Sequence, residues 1–102
     1  MDDFELIFLR GAESDLVEIY SRYLDRSSDA ADRFYDFTDS RLDLLQISPE
    51  LAPVYETPYR RLVLGRYPYG VFYSIERRRI VIAAILDLRQ DPVQIRRRLG
   101  LN

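Results

Sequence analysis

Residues 59–92, YRRLVLGRYPYGVFYSIERRRIVIAAILDLRQDP, decide the fold. Three apolar runs, 62–64, 71–75 and 80–86, are separated by short breaks rich in Gly, Pro or charge. Runs of this length between turn signals predict a three-stranded antiparallel meander. Alternation puts Arg60, Leu62 and Leu64 on one face of its first strand and Tyr59, Arg61 and Val63 on the other. In the second strand Val71, Tyr73 and Ile75 stand against Phe72 and Ser74. The third run, IVIAAIL, does not alternate and is expected to be a central strand covered on both faces. Arginines occupy most of the breaks: Arg60, Arg61, Arg66, Arg77, Arg78, Arg79 and Arg89.

On the N-terminal side, residues 4–10, FELIFLR, read as a strand apolar on both faces, buried on both sides or inserted centrally, with Gly11 ending it. Residues 12–26 read as a helix, because Leu16, Ile19, Tyr20, Tyr23 and Leu24 make one stripe of a 3.6-residue repeat. Glu13 and Asp15 lie in its first turn, where the helix dipole favours anions. Ser27 and Ser28 offer an N-cap for a second helix running to about Gln46, with Ala31, Phe34, Phe37, Leu42 and Leu45 on its apolar side. The short link makes the two helices an antiparallel hairpin. Asp29, Asp32, Asp36, Asp39 and Asp43 form an acidic row that reads as a solvated face. Residues 47–58 hold Pro49, Pro53 and Pro58 and are expected to be a loop. Beyond the meander, Asp91 and Pro92 are an N-cap and first position for a short helix over 93–99.

Composition limits the chemistry. At 102 residues the chain holds one domain with one core. Its start, MDDFELIF, lacks the basic residues and cleavage site of a signal peptide, and no apolar run reaches the ~20 residues that span a bilayer. A cytoplasmic protein that needs no membrane is the expectation. The chain contains no Cys and no His, so thiolate and imidazole metal sites, disulfides and Ser-His chemistry are excluded; neither a metal nor a cofactor is expected. All 15 basic residues are arginine. Each carries a planar fork that stays protonated, suited to holding phosphate or carboxylate and not to base catalysis. Residues 1–58 hold 5 arginines against 14 acids, a net −9, whereas residues 59–102 hold 10 against 3, a net +7. That split points to an anionic partner for the C-terminal half, or to mutual neutralisation of the halves within one fold.

Taken together, the order strand, helix hairpin, proline loop, meander and short helix, the YGVFY strand at 69–73, Pro49-Glu50-Leu51, Tyr59-Arg60-Arg61 and the ending Asp87-Leu88-Arg89-Gln90-Asp91-Pro92 resemble the RelE/ParE toxin superfamily, in its ParE-like, plasmid-stabilisation branch. The resemblance covers nearly the whole chain. It implies an α+β fold, an antiparallel β-sheet in the order β-α-α-β-β-β-α with the helix hairpin on one face. It also implies the toxin half of a type II toxin–antitoxin pair, bound by a cognate antitoxin in a hetero-oligomer. ParE-like members inhibit DNA gyrase; RelE-like members cut mRNA in the ribosomal A site. Self-cleavage of RNA needs a base, an acid and stabilisation of a crowded phosphate. Matched to the RelE-like pattern, Arg61 and Arg89 fall at basic positions, but Gly70 stands where a strand arginine belongs and Ile95 near the C-terminal tyrosine position. Asp87 stands where many plasmid-stabilisation proteins carry His, and could pair with Arg89 or Arg61. The residues therefore favour a ParE-like toxin that binds its target, with the ribosome-dependent endonuclease or a non-toxic binding module of the same fold as alternatives. Candidate target-binding residues are Arg60, Arg61, Arg66, Tyr73, Asp87 and Arg89; Tyr73 is a candidate proton donor or a packing residue, and no catalytic residue is assigned. Candidate antitoxin surfaces are the helix hairpin and the 55–59 loop.

Overall fold

The computed structural model describes residues 4–101; the acidic start Met1–Asp3 and Asn102 lie outside them. Eight elements follow in order: β1 (Glu5–Phe8), α1 (Arg10–Leu24), α2 (Ser28–Ile47), β2 (Val54–Glu56), β3 (Tyr59–Val63), β4 (Tyr69–Glu76), β5 (Arg79–Asp87) and α3 (Pro92–Arg98). They make a five-stranded sheet in the order β1-β5-β4-β3-β2. The expected α+β arrangement and the meander are present, with β4 antiparallel to both β3 and β5. The sheet is mixed, because β1 lies parallel to β5.

Three local expectations change. The first strand is short and sits at an edge, with Glu5 exposed. Its Phe4 end is held by α2, where the Gln46 side chain donates to the Phe4 carbonyl at 3.0 Å and the Phe4 N–H donates to the Gln46 carbonyl at 3.2 Å. Gly11 does not end that strand; it lies in the first turn of α1, where a Cβ would come within 3.3 Å of the Arg98 guanidinium. The proline loop also contains the edge strand β2, whose pairing with β3 shifts register between Val54 and Glu56. A strand of three residues flanked by Pro53 and Pro58 is a blunted edge that resists pairing with other chains.

The unalternating run in β5 has a mechanical cause. Phe72 pairs with Ala84 but Tyr73 pairs with Ile82, so Ala83 is the extra residue of a β-bulge. The bulge changes parity: Ile80, Ile82 and Ile85 face the helix hairpin, while Ala84 and Leu86 face the other way. β5 is thus an inner strand between β1 and β4, and β4 is the central one. On the hairpin side, Ile19, Phe34, Leu42 and Leu45 pack over Leu62, Leu64, Val71 and Tyr73. On the opposite side Ile95 and Leu99, from α3 and its cap, cover Phe72, Ala84 and Leu86.

The helix ends follow the sequence chemistry. The Ser27 hydroxyl accepts from the Ala30 N–H at 3.0 Å and caps α2, and the Asp91 carboxylate accepts from the Val93 N–H at 2.9 Å and caps α3. No helix among the described residues is long and apolar enough to cross a membrane.

Candidate functional site, an arginine cleft at the end of β5

The site arises where β1 gives way to α1. Leu9 donates to the Ile82 carbonyl at 3.0 Å, and the chain then turns into α1. Beyond Ile82, β5 has no strand on that side. Asp15 of α1 fills the gap: its Oδ2 accepts from the Ile85 N–H at 2.9 Å. The same carboxylate takes both terminal nitrogens of Arg98, at 2.9 and 2.7 Å, which ties α3 to α1. One acid therefore satisfies a buried backbone donor and holds the C-terminal helix in place.

Next to this clamp is an open cleft of about 520 Å³, lined among others by Glu18, Arg22, Tyr69, Asp87, Arg89 and Arg98. Asp87 and Arg89 lie just past the strand end and form a two-pronged pair, Nε to Oδ1 at 3.0 Å and Nη2 to Oδ2 at 2.7 Å. The Arg89 N–H also donates to Oδ1 at 2.8 Å. Hydrogen bonding from the Arg89 side chain holds the Asp87 carboxyl below the usual carboxylate range. The same pairing raises the Arg89 guanidinium. Across the cleft Arg22 bonds Glu18 at 3.2 Å, and the neighbouring Tyr69 hydroxyl raises its guanidinium. Every shifted group here stays charged near neutral pH. The arrangement presents fixed charges and guanidinium forks to the cleft.

The sequence-predicted residues are dispersed. Asp87 and Arg89 come together in the cleft. Arg61 lies on the other side of the sheet, its stem beside Gly70 and its guanidinium 5.1 Å from the centre of the Tyr55 ring. Arg66 is exposed and sits over Phe37 at 5.2 Å, on the hairpin side. Arg60 and Tyr73 have a different task. They are paired across β3 and β4 and pin the chain between α2 and β2, Arg60 donating to the Ala52 carbonyl at 2.8 Å and the Tyr73 hydroxyl to the Pro49 carbonyl at 2.7 Å. Tyr73 is fully buried, and burial raises its phenol, so it is a packing residue and not a surface acid. Gly70 fits its place because Leu88 covers it: a Cβ there would stand 2.8 Å from Leu88 Cδ2. A strand arginine at that position would have to displace Leu88.

Asp15, Arg22, Tyr69 and Arg98 were not legible as site residues. Asp15 and Arg98 are 83 positions apart, and the first-turn position of Asp15 already had a dipole explanation. The acidic row on α2 lies in the open. Among the described residues no group of three carboxylates gathers where a cation could be held.

Residues 6–92 match the family model described as the ParE toxin of the type II toxin–antitoxin system parDE. No curated protein matches the sequence. A solved structure of the chromosomal ParDE TA system from P. aeruginosa superposes with a TM-score of 0.70 at 23% identity, over 84% of this chain and 97% of that one. At that identity the superposition speaks for the fold: the same α+β toxin architecture, with helices on a small sheet.

Proposed function

The chain belongs to the ParE toxins of type II toxin–antitoxin systems, and we propose that it acts in the cytoplasm by gripping a macromolecular target, DNA gyrase foremost, and that a cognate antitoxin neutralises it in a hetero-oligomer. The observation that carries this reading is the chemistry of its polar groups. Arg89, Asp87, Arg22 and Arg98 are held charged and paired around an open cleft. The candidate proton donor, Tyr73, is buried against a carbonyl. RNA cleavage would need a base and an acid near one phosphate, whereas the cleft carboxylates Glu18 and Asp87 are engaged by Arg22 and Arg89. Fixed guanidinium forks suit contacts to carboxylates or phosphates of a large partner. Arg61 and Arg89 are the proposed target contacts; Arg66 is an accessory cation on the hairpin side.

The test is expression without antitoxin, with DNA, RNA and protein synthesis followed separately, beside a supercoiling assay with purified gyrase. An early stop in DNA synthesis and inhibited supercoiling are expected. Prompt arrest of translation with cut mRNA, and normal supercoiling, would refute the reading in favour of ribonuclease activity.

A further inference from the structure

The three arginines of the cleft are not held alike. Arg98 makes two bonds to Asp15, and that carboxylate also serves the buried Ile85 N–H, so the pair is tied into the fold. Arg89 makes three bonds to Asp87, whose side chain is only 28% exposed, and its Nη1 has no hydrogen bond among the described residues. Arg22 is different. A single bond of 3.2 Å joins it to Glu18, one turn earlier on α1, and the two side chains are 57% and 69% exposed. An exposed i, i+4 pair of this kind contributes little and breaks readily. Of the acids in the cleft, Glu18 alone is tied by one bond.

Tyr69 adds a third donor to the same cleft. It pairs with Asp87 across β4 and β5, its ring lies against Phe34, and its hydroxyl neighbours the Arg22 guanidinium. Two guanidinium groups and a phenol hydroxyl lining one cleft make a seat for an anion. The charge balance says which anion. The cleft sets Arg22, Arg89 and Arg98 against Asp15, Glu18 and Asp87, a net charge of zero. Without a surplus of positive charge it exerts little pull on a chain of phosphates, and successive phosphates would meet those three carboxylates. A single carboxylate needs no surplus, because it takes Arg22 over from Glu18 one for one.

We propose that the cleft seats one acidic side chain of the target protein, an Asp or Glu carboxylate held by Arg22, Tyr69 and Arg89, and that Glu18 is the internal competitor it displaces. This rests on the reading above of a toxin that grips its target, and adds to it the chemistry of the contact and the residues Glu18, Arg22 and Tyr69. The exchange gives up a weak, solvated pair. The incoming carboxylate gains donors from both sides of the cleft, in a site that the target's own surface shields from water. Asp87 has the opposite part: it keeps its three bonds and holds Arg89 in place, so less side-chain freedom is lost on binding. Glu18 also sets selectivity, because a neutral or basic side chain does not displace it from Arg22.

The test measures the affinity of the full chain for purified gyrase without DNA, and for a short DNA duplex alone, by titration calorimetry. Arg22→Ala is expected to lose about tenfold in gyrase affinity, and Tyr69→Phe several-fold. Glu18→Gln, which leaves Arg22 without a charged competitor, is expected to bind gyrase several-fold more tightly than wild type. That gain should vanish in Glu18→Gln/Arg22→Ala, because Glu18 acts through Arg22. Arg33→Ala removes the same charge from an exposed position on α2 outside the cleft and should bind as wild type does. Glu18 and Arg22 are exposed, so their variants should keep the fold, and a gain in affinity is not a result that damage to the fold produces. Wild-type binding to gyrase with no loss in Arg22→Ala, or with no gain in Glu18→Gln, overturns the seat and leaves the reading of a gyrase-binding toxin standing. Binding of the duplex that is lost in Arg22→Ala, with gyrase affinity unchanged, assigns the cleft to phosphate and also overturns it. Failure of the wild-type chain to bind gyrase overturns the reading itself, and the seat with it.

Discussion

Replacing Asp15 by alanine isolates the clamp that joins α1, β5 and α3. In the native chain Asp15 Oδ2 accepts from the Ile85 N–H at 2.9 Å, and both carboxylate oxygens hold Arg98. Ile85 is 2% exposed, so its N–H would be stranded away from water. An orphaned buried donor costs about 1–3 kcal/mol. The ion pair is partly solvated, with the Arg98 side chain 41% exposed against 13% for Asp15, and its loss adds about 1 kcal/mol. The total, about 2–4 kcal/mol, is a large share of the roughly 5–15 kcal/mol that holds a small domain folded. The melting temperature should fall on the order of 10–20 °C. Asp15→Asn separates the two parts: its amide oxygen still accepts from Ile85, and only the pair is lost, about 1 kcal/mol. Urea unfolding of wild type, Asp15→Ala, Asp15→Asn and Arg98→Ala measures each difference. Asp15→Ala within about 0.5 kcal/mol of wild type would refute the clamp. Asp15→Asn as costly as Asp15→Ala would refute the role given to the Ile85 N–H.

Three further outcomes follow from the same geometry. Tyr73→Phe should cost about 1–2 kcal/mol in urea unfolding, because the Pro49 carbonyl loses its donor, and should leave target inhibition unchanged; loss of inhibition in a folded Tyr73→Phe would restore tyrosine as an acid. Gly70→Ala should destabilise by about 1–3 kcal/mol, because the new Cβ meets Leu88 at 2.8 Å, and Leu88→Ala should relieve that cost in the double variant. The Asp87 carboxyl is lowered in the folded state by its bonds to Arg89, so its contribution is complete above the unfolded value near 4 and is lost as pH falls through the folded value. Thermal unfolding followed against pH should therefore fall more steeply in acid for wild type than for Asp87→Asn; parallel curves would mean that the pair does not form in solution.

The meander, the helix hairpin and the capped C-terminal helix were legible because each is written in local periodicity or in a cap residue, as with Ser27 and Asp91. β2 was not, since Pro53 and Pro58 outweigh three strand residues in any local reading. The edge position of β1 depends on which strand it joins, and a run apolar on both faces does not say so. In β5 the lost alternation suggested cover on both faces, which the helix hairpin and α3 provide, and the bulge at Ala83, which changes parity, was not legible. At the site, Asp87 and Arg89 could be paired from sequence because they are two positions apart. Asp15 with Arg98, and Tyr73 with Pro49, required the fold to bring distant segments together. Single arginines were the least legible: Arg60 and Arg61 are adjacent, yet one pins a loop and the other stacks on Tyr55 across the sheet.

We propose that this ParE-family chain grips its target through guanidinium groups rather than cutting a phosphodiester. Arg89 is exposed and Arg61 half-buried, and neither belongs to the buried core, so Arg61→Ala/Arg89→Ala should fold.

 The most direct measurement is inhibition of gyrase supercoiling by the wild-type chain and by this folded double variant, with intact mRNA checked in parallel. The wild type is expected to inhibit, the double variant to lose about tenfold or more in potency, and the mRNA to stay whole. Equal inhibition by both proteins, or cut mRNA with normal supercoiling, would contradict it.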